Sequence, residues 1–372
     1  MTLTMAIAAT DGPARVGTVH TARGTIETPT FMPVGTRGAV RTLASPDLED
    51  LGASVVLANT YHLMLRPGAT VVERLGGLHR FMGWDGHVLT DSGGYQVFSL
   101  DPSVDDEGVT FRSTYDGGTH RLTPEDAVDV QAALGADITM VLDVCPPWPA
   151  PDDAVRTAVH RTADWARRAR VAHGDAVASG RAPAGQAQFG IVQGGVDPGL
   201  RAESAEATVA VGFDGYGIGG LSVGEPRDLM LPALAATTAM LPEDQPRYLM
   251  GVGDPVGLVE AIALGVDLFD CVLPTRFARH GTILTGAGRY NLKAAANAAD
   301  DGPLDRDCDC MVCARWSRGY LRHLLMVSEP TGARLVTLHN LAWTFSLVRA
   351  ARAAIRAGTL AALRSDIRAV WG

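Results

Sequence analysis

Eight short β-rich apolar runs alternate with amphipathic, helix-forming stretches, and this alternation restricts the fold more than any other feature of the chain. The runs cover residues 30–34, 54–58, 87–90, 138–142, 188–192, 216–218, 248–250 and 268–269. Helical spacing fills the gaps, clearest over 124–134, 152–171, 199–211, 227–240 and 255–264. Thr123-Pro124 and Asp254-Pro255 supply a capping side chain followed by a first-turn proline. Eight βα units predict a (β/α)8 barrel of the TIM type, with its active site where the C-terminal strand ends converge. A doubly wound open sheet is the alternative, but it would not gather all the ends in one place. Those ends are Gly35, Asn59, Asp91, Asp143, Gln193, Gly219-Gly220, Gly251 and Asp270. Nearly every one is an acid, an amide or a glycine.

The last third of the chain adds a second signal. Three of the five cysteines lie in Cys308-Asp-Cys310-Met-Val-Cys313, and His339 follows 26 residues after the third. Three thiolates and one imidazole complete a tetrahedral Zn²⁺ shell with no position open to substrate, so the site is expected to be structural, one ion per subunit. A chance cluster of free thiols is the alternative. So few cysteines, in an odd number, argue against a disulfide framework and for a reducing compartment. The N-terminus lacks the basic and apolar segments of a secretion signal, and no run approaches the ~18 apolar residues of a membrane span. The expectation is a cytoplasmic protein without membrane contact.

Net charge is −9 over 372 residues, which speaks against a nucleic-acid partner. Its distribution speaks the other way. Between Cys271 and Leu325 stand eight Lys/Arg, including Lys293, the only lysine of the chain, against five Asp. That local excess of +3 suits phosphates near the metal segment. A solvated basic surface explains it equally well.

Asp91, Asp143 and Asp270 end three different strands and Gln193 a fourth. Together they suit a nucleophile, a proton shuttle and a reader of a flat polar ligand. Taken singly, each acid could be only a helix cap. Gly194-Gly195 and Gly219-Gly220 allow close backbone approach, and Tyr95 is placed to stack on a planar ring. No His-x-His opens the barrel, and neither dinucleotide-binding nor phosphate-loop glycine motifs occur, so hydrolytic metals, nucleotide cofactors and ATP are not indicated.

Longer motifs carry a family resemblance. Asp91-Ser-Gly-Gly-Tyr-Gln-Val-Phe-Ser-Leu, Gly190-Ile-Val-Gln-Gly-Gly, Gly219-Gly-Leu-Ser-Val-Gly-Glu225, Tyr248-Leu-Met-Gly-Val-Gly and Phe269-Asp-Cys-Val-Leu-Pro-Thr-Arg276 resemble the tRNA-guanine transglycosylases, as does the Cys-x-Cys-x-x-Cys segment with His339. The resemblance runs from about Thr18 to the C-terminus. It implies a (β/α)8 barrel with an inserted zinc-binding subdomain. It implies exchange of guanine for preQ1 at the wobble position of tRNAs with GUN anticodons, through a covalent enzyme–RNA intermediate, by a homodimer. It further implies Asp270 as nucleophile and Asp91 as general acid/base. Asp143, Gln193 and the backbone at Gly220 and Leu221 would read the purine between Tyr95 and Met250, and Arg276 and Arg279 would read anticodon neighbours. Cys145 and Val223 follow the bacterial, preQ1-type pattern. Val144 departs from it, standing where many bacterial members carry Glu.

The expected division is a catalytic barrel over 1–285, a zinc-binding subdomain over 286–345 and closing helices over 346–372. Two rival functions remain at this stage: a non-catalytic tRNA-binding subunit, which should lack the Asp91/Asp270 pair, and an unrelated zinc-dependent barrel hydrolase.

Overall fold

The computed structural model describes residues 3–372, and a closed parallel barrel forms its centre. The strands are Thr30–Met32, Val55–Ala58, His87–Thr90, Ile138–Met140, Ala187–Val192, Gly215–Ile218, Arg247–Leu249 and Leu268–Asp270. Each pairs in parallel with a neighbour, and the last pairs back onto the first through Leu268 with Thr30 and Asp270 with Met32. The remaining seam is closed by a parallel bridge between Val34 and Leu57. There Leu57 N–H donates to the Pro33 carbonyl at 3.0 Å and Gly35 N–H to the Leu57 carbonyl at 2.6 Å. Ring closure excludes the doubly wound alternative, which would leave two open edges.

All eight strands fall on the apolar runs read from the sequence, because strands covered on both faces are continuous Val/Ile/Leu/Phe segments. Packing inside the ring is tight. A Cβ at Gly217 would meet Met140 Cε at 2.6 Å, so the glycine makes room for a large neighbour. Helices Pro124–Leu134 and Arg227–Met240 match their expected spans. The Thr123 hydroxyl caps the first of them through Asp126 N–H at 3.1 Å, and Asp126 returns a bond to Thr123 N–H at 2.9 Å. The closing helix Pro330–Ala357 begins at the proline that follows its N-cap Glu329, ahead of the closing segment expected from 346.

Three additions have weak sequence signatures. An antiparallel sheet, Thr4–Asp11, Ala14–His20 and Thr25–Thr28, precedes the barrel. Ser103–Val104, Val109–Arg112 and Thr119–Leu122 form an antiparallel insert after the third barrel strand. Thr282–Thr285 pairs with Gly288–Asn291 in front of the cysteine segment. Their exposed faces carry polar residues that dilute the alternation a strand normally shows. The N-terminal sheet is anchored to the base of the barrel by Arg15, whose guanidinium grips the fully buried Asp267 at 3.0 and 2.6 Å. No helix among the described residues is long and apolar enough to cross a membrane.

Candidate active site

The C-terminal strand ends surround a cavity of about 370 Å³. Asn59, Asp91, Asp143, Gly219-Gly220, Gly251 and Asp270 line it, so most of the strand-end groups meet as the barrel reading requires. Tyr95, Leu221 and Met250 line it as well. Leu221 is buried and Met250 half-buried, while Tyr95 stands at the mouth with 63% of its surface exposed.

Asp91 is buried and held only by neutral donors. Its Oδ2 accepts from Asn59 Nδ2 at 2.5 Å, and its Oδ1 accepts from the backbone N–H of Thr60 at 2.7 Å and of Gly93 at 3.2 Å. Loss of water pushes its pKa up to about 6 despite those bonds. Asp143 is likewise buried, and its Oδ2 accepts from Gln193 Nε2 at 2.5 Å. Burial, outweighing the Gln193 bond, with a smaller push from the Asp91 charge, brings Asp143 to about 6 as well. Two carboxyls poised at this pH in one cavity can each carry or release a proton near neutrality.

Asp270 completes the set from the opposite side of the ring. Its Oδ1 accepts from Tyr248 Oη at 2.6 Å and Gly251 N–H at 2.8 Å. Burial raises its pKa above the ordinary carboxyl value, and burial with the Asp270 charge raises Tyr248 well above that of a free phenol. Tyr248 therefore stays protonated and donates. Both bonds fall on one oxygen, which leaves Oδ2 directed by the pair yet without a hydrogen-bond partner among the described residues.

Gln193 does not line the cavity. It is fully buried behind the Gly219-Gly220 wall, fixed to Asp143 through Nε2, and its Oε1 has no partner. Gly220 has φ +65°, and a Cβ there would meet Gln193 Oε1 at 2.3 Å, so only glycine lets the wall stand this close. Glu225 accepts from the backbone N–H of Ser222 and, at 2.9 Å, of Val223, so it shapes the loop. Val144 packs against the apolar cluster of Tyr61, Val97 and Leu142. Arg276 and Arg279 lie on the helix Leu273–His280 that follows the last strand. Arg276 is exposed, and Arg279 Nη1 donates to the Thr275 carbonyl at 2.9 Å.

Asn59 and Tyr248 hold the two outer acids, but the sequence reading gave neither a role. Asn59 was legible as a strand end and Tyr248 as part of a motif. Their partners lie 32 and 22 residues away, a distance only the closed ring bridges.

The Cys308, Cys310, Cys313 and His339 ligand atoms lie within 4.8 Å of one another and could hold a metal ion. The sulfurs stand 3.7, 3.6 and 3.3 Å from His339 Nδ1. A tetrahedral zinc with ordinary Zn–S and Zn–N bonds needs edges of about 3.6 Å, so the set fits that ion. His339 Nε2 lies 2.8 Å from the Leu284 carbonyl, and donating to it leaves Nδ1 as the lone-pair nitrogen facing the thiols. A larger cavity of about 560 Å³ opens beside these cysteines, but Asp47, Asp50, Asp305, Asp307 and Asp309 wall it, and none of them ends a barrel strand. The chemistry-bearing acids belong to the smaller cavity.

Known proteins resemble this chain over nearly its whole length. The family model described as queuine tRNA-ribosyltransferase matches residues 10–372. A protein of that name from Symbiobacterium thermophilum is 52% identical over 360 residues, covering 96% of this chain and 88% of its own. One from Desulforudis audaxviator is 54% identical over 344 residues, 92% of this chain and 91% of its own. A third, from Geobacillus kaustophilus, is 48% identical over 361 residues, with 96% and 93% covered.

Proposed function

This chain belongs to the queuine tRNA-ribosyltransferase family of tRNA-guanine transglycosylases, and we propose that it exchanges guanine at the wobble position of GUN-anticodon tRNAs for preQ1 through a covalent enzyme–RNA ester. The observation that carries this reading is the ring of three desolvated carboxyls, Asp91, Asp143 and Asp270, held by neutral donors in one cavity. A flipped nucleotide can reach such a cavity only by leaving its stack.

Asp270 is the nucleophile. Its Oδ2 attacks C1′ of the target ribose as the bond from C1′ to guanine N9 breaks, while Tyr248 and Gly251 steady Oδ1. Asp91, poised at about 6, gives its proton to the departing guanine. In the second half preQ1 loses its N9 proton to Asp91 and attacks C1′ from the other face, releasing the Asp270 carboxylate. Two inversions retain the anomeric configuration, the logic of retaining glycosidases. One glycosidic bond replaces another, so no energy source is required.

Asp143, oriented by Gln193, takes the donor edge of the base. The backbone at Gly220 and Leu221 completes the reading, with Tyr95 and Met250 against the base faces. Cys145 also lines the cavity; it and Val223 favour preQ1 over a bulkier queuine. Arg276 and Arg279 meet the anticodon neighbours. Zn²⁺ is the proposed metal, structural in role, within a subdomain over 286–345 between the barrel (1–285) and the closing helices (346–372). The working unit is a cytoplasmic homodimer.

The experiment is incorporation of radiolabelled guanine or preQ1 into unmodified GUN-anticodon tRNA, with Asp270→Asn in parallel. Label is expected with the wild type and not with the variant. Incorporation by both would move the nucleophile, and tRNA binding without incorporation by either would leave a non-catalytic subunit.

A further inference from the structure

The cations at the barrel mouth are unevenly placed. The loops after strands eight, one and two carry Arg276, Arg279, Arg37, Arg41 and Arg66. None of the five makes an ion pair among the described residues. Strands eight, one and two are neighbours in the closed ring, so these arginines form one continuous arc. Beyond strand eight the ring differs. There Arg227, after strand six, is neutralised by Asp254, after strand seven, at 2.7 Å.

Within the basic arc one group is built rather than scattered. Tyr115, at the tip of the hairpin Val109–Arg112/Thr119–Leu122, is held in place from below. Its neighbour Thr114 donates its N–H to the buried Tyr61 Oη at 3.2 Å, and its own hydroxyl bonds His62 Nδ1 at 2.9 Å. The Arg37 and Arg66 guanidinium carbons lie 5.4 and 4.9 Å from the Tyr115 ring centroid. Two unpaired cations on one aromatic platform repel each other, and the ring quadrupole offsets only part of that. A bridging anion would remove the repulsion. His62 also lines the catalytic cavity, which places the platform at the edge of the reaction site. Guanidinium forks match phosphate oxygens, and an RNA strand that delivers one base to the cavity must lay its neighbouring phosphates on the rim.

We propose that Arg37 and Arg66, mounted on Tyr115, form a phosphodiester clamp that grips the RNA backbone beside the extruded nucleotide and extends the track begun by Arg276 and Arg279. The inference rests on an RNA substrate. It adds a binding subsite on the loops after strands one to three that no motif in the sequence pointed to.

The test compares the wild type, Arg37→Gln/Arg66→Gln, and Arg356→Gln as a control for loss of a surface arginine away from the site. Arg356 is an exposed, unpaired arginine on the closing helix. tRNA affinity is measured across a salt series, and KM and kcat are measured for tRNA and for the free base. The double variant is expected to bind tRNA about tenfold more weakly at low salt, with the slope of log K against log salt shallower by about 1.5, the loss of two phosphate contacts. The loss should fall on KM for tRNA, leaving KM for the base alone, and Arg356→Gln should keep the wild-type slope. An unchanged slope and KM in an active double variant would overturn the clamp. So would a fall in kcat with KM unaltered, which would put the arginines in the chemistry. A wild type that neither binds nor labels tRNA would remove the substrate reading itself, and the clamp with it.

Discussion

Two carboxylates three residues apart, one just before the last barrel strand and one at its end, face opposite fates. Asp267, at the N-terminal end, has no exposed surface and is fully matched: Arg15 grips both oxygens, and Arg247 N–H donates to Oδ2 at 2.8 Å. Asp270, at the C-terminal end, is held by a phenol and one amide on a single oxygen, with no cation against it. A buried acid gripped by a guanidinium on both oxygens ties a sheet to the barrel base, even though burial pushes its pKa up. A buried acid held on a single oxygen by neutral donors also has a raised pKa, but it keeps its second oxygen unpartnered. The same strand is thus preceded by a fastener and ends in the proposed nucleophile, in line with the division of labour between barrel faces.

The comparison is most severely strained by metal removal. Stripping or chelating the metal should lower stability by up to roughly 10 kcal/mol, the scale of a structural zinc site, seen as a large fall in melting temperature. Activity lost while the melting curve stayed in place would put the chemistry at the cysteines instead of the strand end. Next in size is the pair of strand-eight variants. Asp270→Asn should lose base exchange by about 10³-fold or more with the melting temperature kept. Asp267→Asn should do the reverse, costing about 3 kcal/mol because Arg15 is left buried without its charge partner, while each folded molecule still turns over. Similar effects from both variants would abolish the distinction.

A smaller effect concerns Asp143, whose folded pKa of about 6 exceeds the unfolded value near 3.9. Between those values the folded state holds the extra proton, so stability falls as pH rises through the window. Asp143→Asn removes that penalty and should therefore be more stable than wild type by about 3 kcal/mol at pH 8, the gain vanishing below pH 4. Equal gains at both pH values in thermal melts would mean the carboxyl is not strained by burial. Tyr248→Phe should have the smallest effect. Removing one donor to Asp270 should cut kcat about tenfold with KM for tRNA unaltered. A fall in stability without a kcat change would make Tyr248 a structural residue.

Much of this was readable along the chain. Alternation of β-branched runs with capped helices locates all eight strands, since a strand buried on both faces needs an uninterrupted apolar segment. Cysteine spacing and one histidine identify the cluster that could hold a metal ion. The acids at strand ends are visible as soon as the strands are placed. Edge features were poorly legible. The N-terminal sheet and the hairpin bearing Tyr115 are half-exposed, and their sequence carries little periodic signal. At the site itself, type and position marked Gln193 as a proposed base reader, but its seat behind Gly219-Gly220 and its bond to Asp143 were not legible.

The sequence by itself determined the number of strands, the identity of the acids and the Cys3His cluster, because periodicity, residue type and spacing are local properties. Tertiary structure alone decided the charge state and direction of those acids. Asp91 meets Asn59 across 32 positions, Asp270 meets Tyr248 across 22, and Asp267 meets Arg15 across 252. A pKa depends on which donors and how much water surround a group, and neither exists until the ring has closed.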